Sequence, residues 1–169
     1  MRTVRGRQDS MAEVTDNILD SISADEFMLA AIEEARDSLK EGGIPVGSVL
    51  VHQEKIIGRG HNRRIQEGSV IKHGEMDALE SAGRLPAAIY QECILYTTLS
   101  PCPMCSGAIR LYGIPKVIIG ENETFIGDES VLRDSGVDFT VLQHPDCIAL
   151  MMDFIRQFPE EWNEDIGEQ

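Results

Sequence analysis

Apolar residues recur along this chain with two different periods, and the switches between them mark its elements. Phe27, Ala31, Ala35 and Leu39 fall every four residues, the spacing of one helix face. Ser23 and Glu26 stand before this stripe with the offset of a capping box. Gly42-Gly43 follows it as a stop. Residues 46–52 (VGSVLVH) and 55–60 (KIIGRG) predict a strand pair joined by a short polar turn. A helix is predicted over 73–82, ended by Gly83, and then a buried strand over 93–98 (CILYTT). A compact helix over 102–112 with Gly113 beyond it, strands over 116–120 (KVIIG) and 138–143 (DFTVLQ), and a helix from Pro145 to Gln157 complete the series. Strands separated by helices predict an α/β fold. The expected architecture is a three-layer α/β/α sandwich around a central mixed five-stranded sheet, largely parallel with an antiparallel pair at one edge.

Length and charge narrow what such a fold does. At 169 residues the chain has the size of one domain, expected over 23–169 after a mobile N-terminal extension over 1–22. No apolar run reaches the roughly 20 residues that span a bilayer, and residues 1–22 hold no continuous apolar stretch of signal-peptide length. The expectation is a soluble, unsecreted, cytoplasmic protein with no membrane partner. With 15 Lys plus Arg against 29 Asp plus Glu, the net charge is −14, a field that repels phosphate backbones and anionic lipid. The only basic cluster is Arg2, Arg5 and Arg7 near one end. Nucleic acid is therefore excluded as an expected partner, whereas a neutral small molecule is not deterred.

Four cysteines, Cys93, Cys102, Cys105 and Cys147, point in an unsecreted chain to metal or redox chemistry rather than to disulfides. Cys93 and Cys147 sit in apolar patterns and read as small core hydrophobes, and Met104, Met151 and Met152 as core filler. His52, His61 and His144 read as structural or exposed.

Two segments carry the chemistry: His73-Gly74-Glu75 and Pro101-Cys102-Pro103-Met104-Cys105. Cys102 and Cys105 lie three apart, on one side of a helical turn. Two thiolates and the His73 imidazole make a ligand set suited to zinc, with the fourth position left to water as in catalytic sites. Both segments open a helix after strand or loop, so both helix N-termini are expected to face one crevice. Their positive ends lower thiol pKa and favour anions. Glu75 is then within reach of the water without being a ligand. A redox pair shares the Cys spacing; the joint H-x-E and P-C-x-x-C pattern is the signature of zinc nucleobase deaminases.

The likeness extends past the motif. The stretches GHNRR (60–64), GSVIKHGEMDALESAGR (68–84), LYTTLSPCPMCSGAI (95–109), YGIPKVIIGEN (112–122) and EWNEDIGE (161–168) resemble fungal-type cytosine deaminases of the cytidine deaminase superfamily. The resemblance implies a homodimer that turns cytosine and water into uracil and ammonia. It implies that His73, Cys102 and Cys105 hold one Zn2+ and that Glu75 shuttles protons. It implies that Asn62 and the Gly74 N–H hold the pyrimidine carbonyl, and that the Ser100 carbonyl and Asp165 accept from the exocyclic amine. Phe125 and Trp162 would pack on the ring, with Leu99 and Val46 lining the pocket and 161–168 closing over it as a C-terminal cap. Two places depart from the family pattern: Lys72 is charged where an apolar residue is usual, and 123–137 is dissimilar. Three rivals share parts of the motif: a tRNA adenosine deaminase, a guanine or other purine or pterin deaminase, and a non-enzymatic zinc-stabilised module.

Overall fold

The computed structural model of the chain describes residues 25–168. The expected extension over 1–22 and the capping residue Ser23 lie outside the described residues. Helix α1 covers 25–40. It is followed by β1 (Gly47–His52), β2 (Lys55–His61), the short α2 (Arg64–Glu67), α3 (Gly74–Ala82) and the short α4 (Ala87–Tyr90). Then come β3 (Cys93–Leu99), α5 (Pro103–Tyr112), β4 (Lys116–Glu121), α6 (Glu129–Asp134), β5 (Asp138–Val141), α7 (Pro145–Gln157) and α8 (Pro159–Asp165).

The five strands form one sheet in the order β2-β1-β3-β4-β5. The ladders β3–β4 and β4–β5 are parallel, and β1 runs antiparallel to both β2 and β3. The edge hairpin thus enters through its first strand, and β1 alone opposes the other four.

Strand side chains alternate between faces, and the two faces are buried under different helices. Leu50, Leu95, Val117 and Ile119 meet Leu79 of α3, Ala108 and Ile109 of α5 and Leu132 of α6. Val49, Val51, Tyr96 and Ile118 meet Met28, Ala31 and Ile32 of α1 and Cys147 of α7. This is the three-layer α/β/α sandwich expected. Gly58 and Gly60 let α3 lie directly on β2: a Cβ on either would come within 2.3 Å of the Ala78 backbone.

Three expectations are corrected. The buried stripe of α1 is Met28, Ala31, Ile32, Ala35 and Ser38, while Leu39 is 40% exposed. A four-residue step advances about 40° around a 3.6-residue helix, so a stripe of fours leaves the core by its third step. Met152 is 58% exposed because the core face of α7 is Cys147, Met151 and Phe154, and one residue on from Met151 lies about 100° away; Met104 is only half-buried. Strand β5 stops at Val141 because Gln143 turns to φ +50°.

A third apolar cluster sits over one end of the sheet. Ile44, Val46, Leu99, Met151, Phe154 and Trp162 form it, with Phe125 and Ile166 packed against it. Because β1 is reversed, its start lies beside the carboxyl ends of β2 and β3, and this rim carries the site.

Candidate active site

Helices α3 and α5 both begin at this rim. Their N-cap residues are His73 and Cys102, both in extended conformation, and neither side chain caps its own helix. Pro103 at the first position of α5 fixes the turn there. The two capping side chains are therefore free to meet. Cys102 Sγ lies 3.4 Å from His73 Nδ1, and the ligand atoms of His73, Cys102 and Cys105 all lie within 4.8 Å of one another.

These donors fit zinc in kind and spacing. Two sulfurs and one imidazole nitrogen about 2.0–2.3 Å from a common centre stand a few ångströms apart. His73 turns Nδ1 to the cysteines and leaves Nε2 3.7 Å from Asp165 Oδ1, an orientation of the kind outer partners impose on metal-bound histidines. The Cys102 thiol is lowered to about 4, chiefly by the hydrogen bond from Cys105 and then by His73, against the pull of burial. The Cys105 thiol, which supplies that bond and is fully buried, is raised well above its ordinary value. Burial works to lower the His73 pKa, but its bond to Cys102 and the charge of Asp165 prevail and raise it. By contrast, burial, helped by the charge of Glu92 at Cys93 and of Glu121 and Asp146 at Cys147, pushes these thiols up, to about 11 and about 12, and both are buried core residues as expected.

Glu75 is buried beside the ligands. Thr97 donates to its Oε1 at 3.0 Å, and Cys105 Sγ stands 3.3 Å from its Oε2. Burial raises its pKa, helped by the charge of Cys102.

A small cleft opens against these groups. Its walls include Val46, Asn62, Glu75, Leu99, Ser100, Phe125, Trp162 and Asp165, together with His73 and Cys102. Cys105 is buried behind them. Gly74 opens α3 on the same side, where the first N–H groups of a helix have no internal partner. The residues expected at the site from the sequence are thus brought together.

Asn62 is oriented from both sides of its amide: Oδ1 accepts from the Arg64 N–H at 3.1 Å, and Nδ2 donates to Asp165 Oδ1 at 3.0 Å. Arg64 also clamps α8, donating to Asp165 Oδ1 at 3.1 Å and to both carboxylate oxygens of Glu164 at 3.1 and 2.7 Å. Trp162 stands edge-on to Phe125 with ring centroids 5.7 Å apart.

The loop carrying Phe125 is stitched down by carboxylates. Glu121 is fully buried and accepts from the N–H groups of Glu123 and Thr124 and from the Thr124 hydroxyl. Glu129 accepts from Ser100 Oγ at 2.7 Å and from Asn122 Nδ2 at 3.1 and 3.3 Å. In turn Ser100 Oγ accepts from the Gly127 N–H at 3.0 Å.

Arg64, Thr97, Glu129 and Ile166 escaped the sequence reading. Arg64 and Thr97 had a faint signal, as a charge two residues after Asn62 and a polar pair, Thr97-Thr98, closing an apolar strand. Lys72 is accommodated outside the site, 2.8 Å from Glu67 and 3.7 Å from Glu80.

Comparison with known proteins agrees with this geometry. Residues 21–121 match the cytidine and deoxycytidylate deaminase zinc-binding region. The chain is 52% identical over 139 residues to a cytosine deaminase of Candida albicans, covering 82% of this chain and 93% of that one. It is 40% identical over 141 residues to a tRNA-specific adenosine deaminase of Streptococcus pyogenes, covering 78% and 89%. Among solved structures, a chain from a study of A-to-I editing by tRNA:A34 deaminases at the wobble position superposes with a TM-score of 0.64 at 26% identity, covering 74% of this chain and 98% of that one. The chain belongs to the cytidine and deoxycytidylate deaminase family. It is a zinc-dependent deaminase.

Proposed function

We propose that this chain catalyses the hydrolytic deamination of the free base cytosine to uracil and ammonia. The observation that carries the reading is a zinc ligand set and a buried carboxylate facing one small cleft, in a chain 52% identical to a cytosine deaminase. Zinc held by His73, Cys102 and Cys105 supplies the Lewis acidity that makes water a nucleophile near neutral pH. Glu75 takes a proton from the attacking water and passes it to ring N3 as the bond to C4 forms. It then takes the proton of the new C4 hydroxyl and gives it to the exocyclic nitrogen as the C4–N bond breaks, which leaves the C4 carbonyl of uracil and releases ammonia. Asn62 and the Gly74 N–H receive the pyrimidine carbonyl, while the Ser100 carbonyl and Asp165 accept from the amine. Phe125 and Trp162 pack on the ring, and Val46 and Leu99 line its edge.

In this reading 23–169 act as one deaminase domain, with 161–168 as a cap that excludes water and leaves no space for a ribose on N1. A tRNA substrate is disfavoured by the net charge of −14. No helix of the described residues is long and apolar enough to cross a membrane, and we place the protein in the cytoplasm without nucleic-acid or membrane partners. A homodimer is supported by an open groove beside α3, lined by Met76, Leu85 and Tyr90 with Ile71 and Tyr112, the last two 54% and 43% exposed.

Ammonia release measured across free bases, nucleosides and tRNA tests the assignment. Cytosine should be the best substrate and cytidine a poor one. Comparable kcat/KM for the two would move the assignment to a nucleoside deaminase, and turnover of tRNA alone would replace it.

A further inference from the structure

Two buried hydroxyls beneath the site take no part in the reaction as drawn above. Ser48 of β1 and Thr97 of β3 are register partners in the antiparallel ladder, and both are fully buried. Ser48 Oγ donates to Thr97 Oγ1 at 3.0 Å, and Thr97 Oγ1 donates to Glu75 Oε1 at 3.0 Å. An ionised carboxylate only accepts, and a hydroxyl has one proton to give. Once Thr97 has given its proton to Glu75, its oxygen must accept, and Ser48 supplies that proton. The relay therefore runs one way, from Ser48 to Thr97 to Glu75. The other oxygen of Glu75, Oε2, lies on the ligand side, 3.3 Å from Cys105 Sγ.

We infer that Thr97 is a positioning residue that divides labour between the two oxygens of Glu75: Oε1 is pinned as a fixed acceptor, and Oε2 carries the proton between water and base. The inference rests on the proposed proton-transfer role of Glu75. Its physical content is orientation. The terminal torsion of a glutamate is broad and roughly two-fold, so packing alone leaves the carboxylate free to turn. Proton transfer needs one oxygen held within hydrogen-bond reach of the group it serves. A donor fixed in the central sheet removes that freedom at the back of the carboxylate while leaving its front open.

The test compares Thr97→Val, which keeps the shape and removes the hydroxyl, with Thr97→Ser, which keeps the hydroxyl. In zinc-loaded protein, Thr97→Val should lower kcat on cytosine at least about tenfold, the scale of one hydrogen bond to a charged group. KM and zinc content should stay at the wild-type level. Thr97→Ser should recover most of the lost kcat. A second readout needs no substrate. The infrared carboxyl band of Glu75, assigned by its loss in Glu75→Gln, should shift in Thr97→Val and stay in place in Thr97→Ser. Wild-type kcat together with an unshifted band in Thr97→Val overturns the inference. Equal kcat losses in the Val and Ser variants overturn it too, since they mark a packing role. If the wild-type chain fails to turn over cytosine, the proposed substrate falls, while the infrared comparison still decides the bond. Should Thr97→Val not fold, Ser48→Ala removes only the upstream donor: a smaller kcat loss with a band shift supports the relay, and neither change refutes it.

Discussion

His73, Glu75, Cys102 and Cys105 come from two short stretches, each opening a helix that packs flat on the sheet. Asn62, Phe125, Trp162 and Asp165 come from separate loops and from α8, and meet only through side chains. The first group is placed by backbone: helix starts, a proline at the head of α5, and glycines that let α3 lie on β2. The second is placed by charge: Arg64 clamps Glu164 and Asp165, while Glu129 ties Ser100 to Asn122. Backbone placement holds a ligand geometry rigidly, whereas side-chain clamps can release. A metal centre needs the former, and a cleft that must admit a base and free its product needs the latter.

Removing any of the three ligands should break the first group outright. Cys105→Ala and His73→Ala should reduce zinc well below the expected one ion per chain and abolish turnover, as metal analysis beside an ammonia assay will show. Full activity in a zinc-free variant would refute the centre. Next in size, Glu75→Gln should keep zinc and fold but lose at least about 100-fold in kcat; loss of zinc in this variant would make Glu75 a ligand.

The second group should respond differently. Arg64→Met leaves Asp165 buried without its cation, a costly state for a charge. KM for cytosine should rise by at least about tenfold with zinc unchanged, a loss felt in binding. If zinc falls as well, the two groups are not independent. Glu129→Ala should produce a smaller rise in KM, since Glu121 still holds the loop from its other end. The smallest effect is expected at Lys72. Its nearer partners, Glu67 and Glu80, are surface acids, so Lys72→Leu should leave zinc content and turnover at the wild-type level, and a marked loss would tie it to the site.

The same contrast explains how much could be foreseen. The order of elements along the chain and the ligand triad follow from local periodicity and from residue types fixed a few positions apart, so the stretches 73–75 and 102–105 declare themselves. The reversal of β1 against both neighbours does not, because a hairpin has the same pattern whichever of its strands joins the sheet. Arg64 lies 100 residues from Glu164 in sequence, and nothing in the local pattern around either predicts the other. Asp165 and Trp162 were expected at the site only through resemblance to a known family. Glu129 falls in the stretch where that resemblance fails, so neither route could reach it. Thr97 is legible only as part of the buried strand over 93–98, because its role depends on Ser48 across the ladder.

Trp162 gives the cleft a built-in optical probe. It is the only tryptophan in the chain, and it stands in the wall of the cleft against Phe125. Ultraviolet emission excited at the indole therefore comes from α8 and from nowhere else. In the proposed role of 161–168 as a cap, closure would keep the indole dry and its emission blue, and opening would wet it and move the emission to the red. Stopped-flow fluorescence on the unlabelled protein thus times each opening, and set against the steady-state rate it separates the departure of product from the breaking of the C–N bond.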